Sequence, residues 1–225
     1  LDDKLAYELS WRYPYAVATK IPSKWTVTEL NQKNKDVMEQ AKVDFVQEEQ
    51  RSVLAEAAGL NYARRGIILH FLLENIDYNG DVDLQIESLL EHITDAETQL
   101  LAGDKQSIRN FFASATGARL KKAKKVFREL QFIYALPAKE LETLLASDDK
   151  ILLQGTIDLV FKEAEGCVIV DYKSGRSVGK TDAELLDAYG KQLSLYAKAF
   201  TEICKEPVKE AMLYFLGSNH VVKLK

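Results

Sequence analysis

Two apolar, β-branched runs near the carboxyl end of the chain are typical of buried β-strands. They cover residues 151–161 and 167–170, and they flank a short polar segment that begins at Glu163 and ends at Gly166. Apolar runs of this length, joined by a polar segment that contains glycine, predict a β-hairpin whose strands are largely enclosed. We therefore expect this hairpin to supply two strands of a central sheet.

Each strand of the predicted hairpin carries an acidic residue among apolar neighbours. Asp158 interrupts the first strand and Asp171 directly follows the second. A carboxylate in a dry segment is costly unless a cation or hydrogen bonds meet it. Because side chains alternate along a strand, Asp171 and Lys173 are expected on one face and Tyr172 on the other. A salt bridge between Asp158 and Lys173 would satisfy this pattern, and so would a bound metal ion.

The metal alternative has a definite chemical use. Two carboxylates with room for water suit a hard cation such as Mg²⁺ or Mn²⁺. An ammonium group beside that cation can orient an attacking water or stabilise the charge that develops on a phosphate under attack. The set Asp158, Asp171 and Lys173 therefore indicates metal-dependent hydrolysis of phosphodiester bonds.

Upstream of the hairpin the hydrophobic pattern is helical. Over residues 62–76 it places Ile67, His70, Phe71 and Glu74 on one predominantly apolar stripe. A single histidine on such a stripe is usually a core residue, so the pattern alone does not make His70 a ligand. Three short helices, each begun by Asp or Thr, are predicted next, over residues 81–93, 94–101 and 104–114.

The remaining pattern completes a mixed α/β fold. Residues 129–135 alternate as a first strand, Thr181 and Glu184 form a capping box that begins a helix to about Glu202, and strands are predicted over 208–216 and 220–224. The order helix, three strands, helix, strand predicts one mixed sheet. We expect a single domain over 1–225, with an N-terminal extension (1–24), the histidine helix (62–76), a helical insertion (79–128) and a catalytic core (129–225).

Composition is useful mainly because it argues against a membrane-spanning protein, a secreted protein and a protein with an iron-sulfur cluster. The 225 residues are 47% hydrophobic and 28% charged, which is enough apolar chain for one core. No apolar run approaches the roughly 18 residues of a membrane span, and no secretory signal is present, so we expect an intracellular protein without membrane contact. A start at Leu1 favours an excised fragment. Cys167 and Cys204 are too few for an iron-sulfur cluster in this chain.

Charge restricts where DNA could bind. The net charge of −4 gives the molecule as a whole no attraction to DNA, so any contact has to be local. The best candidate is the segment RLKKAKKVFR at 119–128, predicted as a basic helix. Its lysines could follow phosphates, or the helix could present an ordinary solvated face; these lysines are Lys121, Lys122, Lys124 and Lys125.

Several motifs, taken in order, resemble the RecB-like branch of the PD-(D/E)xK nuclease superfamily. Asp158 followed by Asp171-Tyr172-Lys173 is similar to its catalytic core. The segment QLSLY, from Gln192 to Tyr196, resembles its Q-x-x-x-Y motif, and GIILH at 66–70 resembles its G-x-x-x-H motif. Residues 25–30 and 136–141 are also similar to the carboxy-terminal region of AddA subunits of bacterial AddAB helicase-nucleases. The resemblance implies a restriction-endonuclease-like core.

The resemblance also implies roles for individual residues. His70 would complete a metal shell with Asp158, Asp171 and the backbone carbonyl of Tyr172, and Lys173 would act in catalysis beside Asp158 and Asp171. Gln192 and Tyr196, one turn apart on the long helix, would position the substrate beside the lysine.

The activity implied is that of an Mg²⁺- or Mn²⁺-dependent DNA exonuclease within an AddAB/RecBCD-type helicase-nuclease that serves recombinational repair of double-strand breaks. Its substrate would be single-stranded DNA fed from upstream helicase domains. Its partner would be an AddB-like subunit, and its location the bacterial cytoplasm, at the nucleoid. The alternative is a catalytically silent, nuclease-like scaffold that docks another protein or DNA. A scaffold has no physical need for buried carboxylates beside a lysine, which argues against it.

One further segment imitates a nucleotide-binding loop. Residues 175–181 (GRSVGKT) follow a predicted strand and begin a helix, which is the context of a phosphate-binding P-loop. Only three residues separate its glycines, whereas the P-loop motif has four, so we do not expect a nucleotide there. Arg176 and Lys180 could still contact DNA phosphates.

Overall fold

The structure is a computed structural model that describes residues 23–27, 29, 53–91, 93–94, 101, 104–137, 140, 150–175 and 177–224, with side chains in the first helix described from residue 64 onward. Most of the predicted N-terminal extension, residues 95–100 of the helix predicted over 94–101, and Arg176 lie outside these residues. The described elements are β1 (Lys24–Thr26), α1 (Val53–Asn75), α2 (Val82–Leu90), α3 (Asp104–Ala113), α4 (Ala115–Lys121), β2 (Lys125–Pro137), β3 (Lys150–Glu163), β4 (Gly166–Lys173), α5 (Asp182–Cys204), β5 (Val208–Phe215) and β6 (His220–Lys223).

The six strands form one mixed sheet. One edge of β3 pairs with antiparallel β2 along almost its whole length. Its other edge pairs with parallel β1 at Leu152–Gln154 and with antiparallel β4 at Leu159–Glu163. β4 pairs in parallel with β5, which pairs in antiparallel with β6. The predicted order of helix, three strands, helix and strand is therefore confirmed, and β1 is an additional strand that the sequence did not predict.

Helices cover both faces of the sheet. α5 packs on one face with residues such as Ile169 and Leu213, and α1 to α4 pack on the other face with residues such as Val168 and Met212. Burial on both faces explains why β4 is apolar at almost every position. The helices of the predicted insertion thus form, with α1, the layer on the face of the sheet opposite α5. No helix among the described residues is long and apolar enough to cross a bilayer.

The apolar stripe of α1 that carries His70 does not enter the core. Ile67, Phe71 and Glu74 are exposed, and the side of α1 that enters the core is the adjacent one. Apolar residues occur on more than one side of α1, so either of two stripes could face the core. The stripe with five aliphatic residues and no polar residue is the one that is buried. Its members are Ile68, Leu69, Leu72, Leu73 and Ile76.

The basic segment is not the single helix that was predicted. α4 ends at Lys121, and β2 begins at Lys125. Within this segment, Val126 packs in the core beneath α1 to α4, whereas Phe127 packs in the core beneath α5. Neighbouring apolar side chains that face opposite ways require an extended chain, so β2 begins earlier than the predicted residue 129.

Arg119, also in the basic segment, is engaged within the protein. Its guanidinium donates to both carboxylate oxygens of Glu163 (2.9 and 3.1 Å) and to Glu210 Oε2 (2.7 Å). These hydrogen bonds raise the pKa of Arg119 and help to lower the pKa of Glu163 to about 2. Arg119 therefore links α4 to β3 and β5, and its guanidinium is used in these contacts within the protein.

Candidate active site

The candidate site lies where β4 leaves β3. Pairing between these strands ends at Leu159 and Val170, and the pairing of β1 with β3 ends at Gln154. Between these points, over residues 155–158, no described strand pairs with this edge of β3. A cleft of about 720 Å³ opens here, lined by side chains of α1, β2, β3, β4 and α5.

At this point β2 and β3 interrupt the regular alternation of side chains between the two faces of the sheet. Ile157 and Val160 both pack on the α5 side although they are three positions apart, whereas Leu159 packs on the opposite side. Asp158 is the residue at which the alternation shifts, and Glu129 of β2 stands opposite it with a positive φ of 45°. Such irregularities re-aim side chains and are common beside active sites. Here the irregularities in β2 and β3 direct the carboxylates of Glu129 and Asp158 toward α1.

A histidine meets these two carboxylates. His70 Nδ1 lies 3.5 Å from Asp158 Oδ1 and 3.7 Å from Glu129 Oε1. One ligand atom from each of the three residues lies within 4.8 Å of the others, which is close enough to hold a single metal ion. Burial lowers the pKa of His70, but the neighbouring carboxylates of Glu129 and Asp158 outweigh that effect, so its pKa is raised.

Asp158 is held by the neighbouring strand. The backbone N–H of Tyr172 donates to Asp158 Oδ2 at 2.7 Å, and the side chain of Asp158 is only 10% exposed. Burial, followed by the negative charge of Asp171, raises the pKa of Asp158 to about 7. The carboxylate is therefore only partly ionised at neutral pH until a cation joins it.

Asp171 and Lys173 face α5, as the alternation predicted. Asp171 is 2% exposed, and its Oδ2 lies 2.5 Å from Lys173 Nζ in an ion pair whose orientation makes no hydrogen bond. Lys173 Nζ also donates to Gln192 Oε1 (3.2 Å), and Gln192 Nε2 contacts Asp171 Oδ1 (3.2 Å) and Tyr196 OH (2.9 Å). The pair Gln192 and Tyr196 therefore meets Asp171 and Lys173, and the lysine pairs with Asp171, whereas the alternative to a metal site required a salt bridge with Asp158.

Tyr172 projects from the opposite face of β4. Its ring contacts Phe111 and His70 edge to face, at centroid distances of 5.2 and 6.0 Å. The tyrosine thus packs beneath α1 while its backbone N–H fixes Asp158. The role of its carbonyl as a metal ligand stays a prediction.

Glu129 is the site residue that sequence reasoning missed. It was assigned only as the first residue of a strand, because a glutamate at a strand end is ordinary on an exposed surface. A pairing register that sets it opposite Asp158 would have identified it, and that register follows from the alignment of β2 with β3.

The remaining predicted contact residues that the structure describes lie outside the lining of the cleft. Lys121, Lys122, Lys124, Lys125 and Lys180 are all exposed. Ser177 anchors the loop that resembles a P-loop. Its hydroxyl forms hydrogen bonds with Ser218 Oγ (2.9 Å) and His220 Nδ1 (2.7 Å). These bonds fasten the loop to the β5–β6 turn.

The donor set fits a hard divalent cation. Carboxylates with one imidazole suit Mn²⁺ or Mg²⁺. The pKa of Asp158, which burial and the charge of Asp171 raise, supports the fit. It is a sign of negative charge that the protein alone does not fully compensate.

The raised pKa of Asp158 predicts how metal-free protein responds to pH. An acid whose pKa rises from 3.8 to about 7 on folding makes the free energy of unfolding fall as pH increases between these values. Asp158→Asn keeps an acceptor for the Tyr172 N–H and should remove most of that fall. Above pH 7 the variant should be more stable by an amount on the order of 1–4 kcal/mol, measured by urea unfolding in EDTA.

Addition of Mn²⁺ supplies the control for that measurement. The parent should gain stability with metal concentration because the ion binds the folded state, while Asp158→Asn should gain much less. A variant that is equally stabilised by Mn²⁺, or that follows the parental pH curve in EDTA, would contradict this account of the cleft.

Comparison with known proteins agrees with the fold and the motifs. Residues 32–224 match the family model of the PD-(D/E)XK nuclease superfamily. Similar proteins include the A-type subunits of the ATP-dependent helicase/nucleases of Acetivibrio thermocellus, 32% identical over 98% of this chain, and of Alkaliphilus metalliredigens, 33% identical over 98%. The match covers 18% and 19% of these relatives, so the chain spans about a fifth of their length. The predicted family is thus confirmed, and the chain belongs to the PD-(D/E)XK nuclease superfamily.

Proposed function

We propose that this chain is a metal-dependent deoxyribonuclease that hydrolyses phosphodiester bonds as an exonuclease. The observation that carries the proposal is that two groups of side chains meet where β3 and β4 separate. His70, Glu129 and Asp158 come from the α1 side, and Asp171 and Lys173 come from the α5 side. A scaffold would gain nothing from this concentration of buried charge.

The metal-binding residues and the lysine of the site have different proposed roles. His70, Glu129, Asp158 and Asp171, with the carbonyl of Tyr172, would hold Mg²⁺ or Mn²⁺. A divalent ion at such a site polarises the phosphate and lowers the pKa of bound water. Lys173 places a positive charge beside the scissile phosphate, where it stabilises developing negative charge. Gln192, which contacts both Asp171 and Lys173, together with Tyr196 fixes their orientation.

The biological setting is proposed from the relatives, which are named as subunits of ATP-dependent helicase/nucleases. We place the chain as the nuclease part of an AddA-like subunit, with helicase domains upstream and an AddB-like partner. Such a complex would act in recombinational repair of double-strand breaks in the bacterial cytoplasm, at the nucleoid.

A single-stranded substrate is supported by the surface around the acidic centre. Ile67 and Phe71 on α1, and Ile133 on β2, are 57%, 38% and 63% exposed and lie beside the cleft. Uncharged residues continue along the same face of β2 and β3, at Gln131 and Gln154. Apolar and amide side chains contact unpaired bases, which duplex DNA does not present.

Cleavage of DNA tests the proposed activity. Asp158→Asn or Asp171→Asn should abolish cleavage of a linear single-stranded oligonucleotide and weaken Mn²⁺ binding, measured by calorimetry. Lys173→Ala should leave metal binding intact or tighter, since it removes a nearby positive charge. It should still lower the cleavage rate about 10²-fold or more, a barrier increase of about 3 kcal/mol.

The parent and Lys173→Ala also separate the nuclease from the silent scaffold. If the chain is a catalytically silent scaffold, the parent protein should not cleave DNA when Mn²⁺ or Mg²⁺ is present. If Lys173→Ala is folded, binds metal and cuts at the parental rate, the role assigned to the lysine is wrong even though the nuclease stands.

The exposed apolar residues predict a preference between substrates. In a Lys173→Ala background, which limits cleavage, Phe71→Ala should weaken binding of oligo(dT) by about 5- to 150-fold, the range expected for loss of one base–aromatic stack. Binding of a blunt duplex should change little. Leu84→Ala, at an exposed apolar residue of α2, is the matched control. Equal losses for single strand and duplex would contradict base contact.

The exposed lysines predict how binding depends on salt. If Lys121, Lys122, Lys124 and Lys125 follow phosphates, changing all four to Gln should reduce the slope of log affinity against log salt by up to roughly 3 for a single strand. Lys205→Gln, at an exposed lysine that pairs with Glu202, serves as the control. An unchanged slope would assign these lysines to the solvated surface, and contact through Arg176 and Lys180 would remain to be tested in the same way.

A further inference from the structure

Lys173 has an aromatic neighbour as well as its polar ones. The ammonium nitrogen lies 4.8 Å from the centre of the Tyr189 ring, within the range of a cation–π contact. Tyr189 belongs to none of the motifs that resemble the nuclease family. We infer that Tyr189 is a positioning residue, which holds the ammonium of Lys173 in place while Asp171 serves the metal. This inference rests on the proposed nuclease function.

The need for such a residue follows from the charges in the cleft. In the structure the nearest negative group to Lys173 is Asp171, at 2.5 Å. Asp171 would also ligate the cation, and a carboxylate shared with a divalent ion attracts the lysine less. A flexible lysine side chain then needs a second support. An aromatic face attracts an ammonium ion, carries no net charge and is not a ligand for hard cations, so it can hold Lys173 without competing for the metal.

The fold holds the ring from two directions. Tyr189 stands three residues before Gln192 on α5, so the ring and the amide project from the same side of the helix toward Lys173. The ring also packs against Phe215, with centroids 6.3 Å apart. Phe215 is the partner of Lys173 in the parallel pairing of β4 and β5. The aromatic support is therefore anchored both to the helix that carries Gln192 and to the strand beside the lysine.

The first test compares Tyr189→Phe with Tyr189→Leu in the full 225-residue chain. The phenylalanine keeps the aromatic face, so its kcat should stay within about 2-fold of the parent. The leucine should lower kcat about 10-fold, within the range expected for a cation–π contact, with KM and Mn²⁺ affinity unchanged. Tyr134→Leu, which removes a half-buried tyrosine from the same core outside the cleft lining, controls for loss of packing.

The second test does not depend on activity. Protons held over an aromatic face resonate upfield, so the Lys173 ε-methylene signals in the NMR spectrum should be shifted upfield in the parent and in Tyr189→Phe, and return to ordinary values in Tyr189→Leu. The upfield shift should persist when Mg²⁺ is added, since Tyr189 is inferred to act in the metal-bound protein.

Each result decides the inference. It is overturned if the ε-methylene shift is absent or disappears with Mg²⁺, if Tyr189→Leu cleaves at the parental rate, or if the phenylalanine and leucine variants lose activity equally, which would implicate the hydroxyl group. If the parent cuts no DNA but keeps its shifted Lys173 signals with Mg²⁺, the proposed nuclease function fails while the contact with Tyr189 stands.

Discussion

Concentrated negative charge is the constraint on which this structure depends. Asp158 and Asp171 enter one partly enclosed cleft and Glu129 lies at its border, where His70 meets Glu129 and Asp158 and Lys173 pairs with Asp171. The raised pKa of Asp158 shows that these groups do not fully compensate the carboxylates. Carboxylates in low dielectric need a cation, so the same arrangement that strains the metal-free protein prepares it to bind one.

The architecture brings this charge together from both faces of one sheet. β3 and β4 separate after Leu159 and Val170, which opens a passage between the two layers of helices. His70 approaches through that opening from α1, and Gln192 contacts Lys173 from α5. Because each helix is fixed by its own apolar core, the site is held rigidly although its members come from distant parts of the chain.

Neutral groups complete the arrangement around the charged centre. Gln192 and the ring of Tyr189 both contact the ammonium of Lys173 without adding charge. Exposed Phe71 and Ile133 extend the cleft with apolar surface beyond the carboxylates. The acidic centre attracts a phosphate through Lys173 and a bound cation, while the surface at its sides is uncharged. The proposed action on single strands requires such a separation of charged and neutral surface.

The sequence by itself determined the features that depend on local periodicity. The strands β3 to β6, the capping box of Thr181 with Glu184, and the common facing of Asp171 and Lys173 all follow from spacing along one segment. Tertiary structure decided what depends on the meeting of segments. Glu129 became a site residue because the register of β2 sets it opposite Asp158, and α1 turned its exposed side to the cleft because two apolar stripes competed for burial. The physical reason is that periodicity specifies which residues share a face, whereas only packing selects the face that is buried and the residues that stand across from one another.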